Sequence, residues 1–109
     1  MANTQIILEI ETGAGSRVLV ANVGYFNSSY QPLYNICFGG RSTDFFHNLT
    51  AEAVIAELKS AIESLKTDRS SYLGLTPIEQ GYRLSILELC LKLKDLCIKH
   101  PNAVVSLAP

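Results

Sequence analysis

Cys97 and His100 stand three residues apart at the end of a leucine-rich stretch, near enough on one helical face for an imidazole to take a proton from a thiol. A Cys–His hydrolase also needs a third group behind the imidazole, and the pattern places none there. His100 has a simpler use, complementing the negative end of a helix or donating to a terminal carbonyl. Glu9 and Glu11 point the same way along one extended segment, about 7 Å apart. Paired carboxylates suit acid–base work, yet exposed acids on a hairpin serve equally as solvation and edge protection. Cys37, Cys90, Cys97, His47 and His100 show none of the compact ligand spacings of a zinc site. Cys90 and Cys97, seven apart among leucines, read as small hydrophobes. The expectation is a chain with no catalytic residue, no metal and no cofactor.

Phosphate-binding chemistry has more candidates. Gly13, Gly15 and the pair Gly39–Gly40 lack both the terminal Lys-Ser/Thr of a phosphate loop and the three-glycine dinucleotide pattern. The segment GGRSTDF from Gly39 nevertheless joins flexible backbone, hydroxyls and Arg41 just ahead of a helix, the makings of a small anion nest. Tyr30, Tyr34 and Asn35, with Arg41 and Arg83, define a tentative ligand set: rings for a base, an amide for its edge, guanidiniums for phosphate. Nucleic acid itself is disfavoured, because a backbone-binding surface collects several cations and the first half of the chain offers only Arg17 and Arg41.

The frame that must position these residues follows from composition. The chain has 109 residues, 9 basic and 10 acidic side chains, a formal net charge of -1 and 48% hydrophobic residues. That fits one α+β domain over 1–109, with core enough to fold without disulfides. The opening MANTQIILEIETGAGSRVLV has no basic n-region and carries Glu9 and Glu11 in its apolar run, so a cytoplasmic chain with reduced thiols and no membrane span is expected. Only five charged residues (Glu9, Glu11, Arg17, Arg41, Asp44) precede position 49 and fourteen follow. Strands are expected in the sparsely charged front, helices behind.

QIILEIE over 5–11 alternates as a half-buried strand, TGAGS turns, and RVLVANVGYF over 17–26 returns. In the second strand Leu19, Ala21, Val23 and Tyr25 are expected on one face and Val18, Val20, Asn22 and Gly24 on the other. NSSYQP interrupts, and LYNICF over 33–38 restores strand character before Gly39–Gly40. The predicted architecture is a three-stranded antiparallel β-meander over 5–38, then a two-helix hairpin packed on one face. Val54, Leu58, Ala61, Ile62 and Leu65 set the first helix at 51–66. Thr76-Pro77-Ile78-Glu79 opens the second, which runs over 77–99. Ala103–Leu107 offers a further short strand or a clasp on a neighbour.

The last helix, 23 residues and roughly 34 Å long, has a narrow polar stripe: Ser85, Glu88, Lys92, Asp95 and Lys99. The rest of its circumference is apolar, more than one partner surface within the chain requires. Leu87, Cys90, Leu91 and Ile98 are the expected interface. Absent chemistry and surplus apolar surface together predict a noncatalytic small interaction protein that forms a homodimer or higher homo-oligomer and binds a protein partner. The alternative is a symmetric protein that sequesters a nucleotide or another small phosphate-containing ligand in an aromatic, arginine-lined pocket between subunits.

Overall fold

In a computed structural model, residues 4–67, 72 and 74–108 are described. Strands β1 (Thr4–Glu11) and β2 (Arg17–Phe26) form the expected antiparallel hairpin. Its turn closes with a hydrogen bond of 2.8 Å from the Thr12 amide to the Ser16 carbonyl.

The expected third strand at 33–38 is instead a helix, α1 (Gln31–Cys37), entered through a 3-10 turn at Ser28–Tyr30. Three local features explain the correction. The Asn27 side chain accepts from the Ser29 amide at 2.9 Å and starts the turn. Pro32 fits the first helical turn, where its missing N–H costs nothing. Leu33, Tyr34 and Cys37 then fall on one face, which is the buried one. Gly39 and Gly40, at φ 67° and 83°, end the helix.

The third strand comes instead from the C-terminal segment, β3 (Val104–Ala108), which pairs with β1 and not with β2, giving strand order β2-β1-β3 with every pairing antiparallel. The sheet is therefore a hairpin plus a returning C-terminal strand rather than a meander over 5–38. Ile6 pairs with Leu107 and Leu8 with Val105, aliphatic pairs on the covered face that fix the register of the returning strand. The outer edge of β3 is closed by the chain leading into the next helix: the Asn48 amide donates to the Val105 carbonyl (2.8 Å), and the Val105 amide to Leu49 (2.9 Å). β2 forms the opposite border.

Two register shifts bend β2, so that Ile6, Ile7, Leu8 and Glu9 face Gly24, Asn22, Ala21 and Leu19. The bulges change the expected faces: Leu19 and Tyr25 share theirs with Asn22, and Ala21 and Gly24 lie on the other. Leu19 and Tyr25 are exposed, whereas Val23 is buried.

Helix α2 (Ala51–Lys66) and helix α3 (Pro77–Lys99) occupy the expected ranges. Thr50 caps α2 through the Ala53 amide. Thr76 and Glu79 close a reciprocal capping box, at 3.2 Å and 3.1 Å, at the head of α3. The connection expected over 67–75 lies partly outside the described residues. Val54, Leu58 and Leu65 of α2 and Ile86, Cys90, Leu93 and Cys97 of α3 are buried in one core with Ile6, Leu8 and Val105 of the sheet. Phe26, Tyr34, Phe38, Phe45 and Phe46 extend this core as a ring cluster with centroid separations of 4.2 to 6.4 Å. Among the described residues no helix is long and apolar enough to cross a membrane.

Candidate functional site

The ligand set predicted from sequence divides into rings and cations with separate surroundings. Tyr34 is buried, and its hydroxyl accepts from the Asn27 amide at 3.0 Å; burial pushes its phenol well above the usual range. Tyr30 lies 4.5 Å from the ring of Tyr82 and 6.2 Å from that of Tyr34. With Tyr25, Asn27, Ser85 and Leu89 these two tyrosines line a shallow hollow of about 280 Å³. Asn35 sits on the exposed side of α1, accepting from the Gln31 amide group at 2.9 Å.

The cations are engaged along α2. Arg41 donates to Glu57 in a two-pronged pair, to the Phe38 carbonyl at 3.1 Å, and its guanidinium lies 4.0 Å over the Phe45 ring. The Glu57 carboxyl is accordingly held below its usual range, chiefly by that hydrogen-bonded pair. Arg83 donates to the carbonyls of Leu65 (2.9 Å) and Thr67 (2.8 Å) and to Gln80, and lies 4.3 Å over Tyr72. Glu57 and Leu65 are about 12 Å apart along α2, so the two guanidiniums serve different levels of one helix. Two of the amides that a nest at Gly39–Phe45 would aim outward are also used: Gly40 donates to the Asn35 carbonyl at 2.7 Å and Arg41 to the Phe38 carbonyl at 3.4 Å.

The reactive groups have structural partners. Burial pushes the Cys97 thiol up to about 11 and the Cys37 and Cys90 thiols up to about 12, which keeps them neutral near pH 7 and deprives Cys97 of the thiolate a nucleophile needs. Glu9 and Glu11 flank Arg17 at 3.9 Å and 3.1 Å, and the same guanidinium reaches Asn48 at 3.1 Å. His47 Nδ1 accepts from the Leu107 amide at 3.0 Å. Among the described residues no three His, Cys, Asp or Glu side chains gather as a metal site would require.

The outer face of α3 is open. Leu84, Leu91 and Ile98 are 61%, 37% and 57% exposed and recur every seven residues, forming one stripe about 21 Å long. Of the expected interface residues, Leu91 and Ile98 lie on this stripe, Leu87 is half-buried beside it, and Cys90 is turned into the core. Leu84 escapes the sequence-derived set. The seven-residue recurrence is the signal that finds it.

Each end of the stripe opens onto a groove shared with α2. Glu52, Ile55, Ala56 and Lys59 face Cys97, Ile98 and Pro101 across the larger, of about 730 Å³. Leu65 and Lys66 face Gln80, Arg83, Leu84 and Leu87 across the smaller, of about 390 Å³. The two helices thus run antiparallel, with one groove toward each end of the stripe.

Comparison with protein-family models, with curated proteins and with solved structures finds no match for this chain.

Proposed function

We propose that this protein is a noncatalytic, self-associating interaction protein that joins its copies through the outer face of α3 and offers the sparsely charged β2 border to a protein partner. The observation carrying this reading is the exposed line Leu84–Leu91–Ile98. Full burial of one such side chain is worth roughly 1.5–3 kcal/mol, and three in register supply an incentive that scattered surface leucines do not. The tyrosine-rich hollow supports the ligand reading less well, because Arg41 and Arg83 are committed to Glu57 and to the end of α2. Three free, buried thiols fit a reducing compartment such as the cytoplasm.

Sedimentation equilibrium tests the first half. A mass that rises with concentration in the wild type, and stays at one chain in Leu91→Lys, is the expected result. A strict monomer in the wild type overturns it. For the second half, Leu19→Lys/Tyr25→Lys should lose a protein captured by the wild type while keeping self-association; equal capture by both overturns the β2 assignment.

A further inference from the structure

We infer that the second copy docks antiparallel, in a dimer whose two-fold axis crosses α3 at Leu91 and whose flanking contacts are made by α2. This rests on the self-association reading above and adds to it the partner, the direction and the register.

A two-fold interface must be self-complementary: whatever residue i touches, the same residue of the other copy touches i. The stripe meets that condition when reversed, since Leu84 and Ile98 are each seven residues from Leu91. Reversal about Leu91 sets Leu91 against its own copy and Leu84 against Ile98 at both ends. The second copy's Leu84 then reaches the groove formed by Ile55, Ala56 and Ile98, and its Ile98 reaches the groove formed by Leu65, Leu84 and Leu87. Each concavity receives an aliphatic side chain by one operation.

The charges of α2 select the same axis. Glu52, Lys59, Glu63 and Lys66 are all exposed and fall within about 60° of arc on the helix, on the flank bordering the grooves. Their signs alternate along the chain, so a reversed copy brings Glu52 toward Lys66, a pair centred on residue 59, and Lys59 toward Glu63, a pair centred on residue 61, with Lys59 equally near its own copy. That match requires a centre near residue 60. Leu65 lies beside Arg83 and Ile55 beside Ile98, so residue 60 is level with Leu91, and the apolar and charged patterns place the axis at one height. On the far flank of α3 the reversed copy brings Glu88 near Asp95, an opposing contribution that Lys92 and Lys99, four residues after each, soften. A parallel pairing would set every seam residue against itself and carry the two copies of α2 to opposite flanks, leaving their charges without a counterpart.

Cross-linking reads the direction. The native thiols are buried, so a short bismaleimide reports on Leu91→Cys, Leu84→Cys and Ile98→Cys, all placed at exposed positions. Leu91→Cys alone should link efficiently, Leu84→Cys and Ile98→Cys alone should not, and an equimolar mixture of the latter two should. Efficient linking of Leu84→Cys alone overturns the antiparallel register while leaving self-association standing; a wild type that sediments as one chain removes both. Charge exchange reads the α2 contact. Lys59→Glu should weaken the dimer about 3- to 10-fold, as expected for exposed pairs occurring twice, and Lys59→Glu/Glu63→Lys should restore it to within about 2-fold. A double variant as weak as the single overturns the proposed α2 contact.

Discussion

Arg83 on α3 donates through Nε to the Leu65 carbonyl at 2.9 Å and through Nη2 to the Thr67 carbonyl at 2.8 Å, so one helix supplies the cap of the other. The last carbonyls of a helix have no partner within it, and its C-terminal end favours positive charge. Arg83→Ala should therefore lose about 2 kcal/mol, the magnitude of hydrogen bonds to a charged group. The urea midpoint measures it. Arg83→Lys should recover less than half, because a single ammonium does not reproduce the planar fork. An unchanged midpoint in Arg83→Ala would contradict this role.

The cysteines make a pH prediction whose sign follows from burial. Each thiol titrates in the folded chain above its ordinary 9.0, at about 11 for Cys97 and about 12 for Cys37 and Cys90. The folded state thus favours the neutral form. The contribution is complete below the ordinary thiol value and is lost as pH rises through the native values. Stability of the wild type should fall between pH 9 and 12 more steeply than that of a Cys37→Ala/Cys90→Ala/Cys97→Ala variant, and the difference between the two curves isolates the thiols from lysine and tyrosine. Native protein should also resist an aromatic disulfide reagent until denaturant is added.

His47 extends the cover on the outer edge of β3 from Val105 to Leu107. Its Nδ1 accepts from the Leu107 amide at 3.0 Å, which requires the ring proton to sit on Nε2. His47→Ala should cost about 1 kcal/mol and raise hydrogen exchange at Leu107 ahead of Val105, whose amide is held by the Leu49 carbonyl. His47→Asn, which keeps an acceptor on a shorter arm, should recover part of that protection. Unchanged exchange at Leu107 in the alanine variant would show that the bond contributes nothing to the edge.

The two long helices were legible because each carries its own punctuation: Thr50 before α2, and the Thr76–Glu79 box before α3. LYNICF was not, because a short run that is apolar but for Asn35 satisfies strand and helix equally. Asn27 and Pro32 decide it locally; the β2 edge it would have paired stays a border, and the third strand is Val104–Ala108, from the far end of the chain, beside β1. The candidate site divides along the same line. Leu91 and Ile98 belong to a period visible in the sequence. Arg41 and Arg83 find partners 16 and 18 residues away, and no local rule distinguishes a cation that binds a ligand from one that closes a helix.

Gly24 and Gly81 separate backbone strain from backbone freedom. Gly24 lies at the second bulge of β2 with φ of 142°, and a Cβ at that position would meet Leu89 Cδ1 at 3.5 Å, an ordinary contact. The obstacle to a side chain is thus the backbone angle rather than crowding, and Gly24→Ala should lose about 1–3 kcal/mol. Gly81 lies inside α3, where a methyl group would find nothing within 4 Å. Glycine is there only a source of unfolded-state entropy, so Gly81→Ala should gain about 0.5–1 kcal/mol. Urea midpoints shifting in opposite directions are the expected outcome, and a loss in both variants would mean that α3 needs flexibility at Gly81 for packing that its open surroundings do not require.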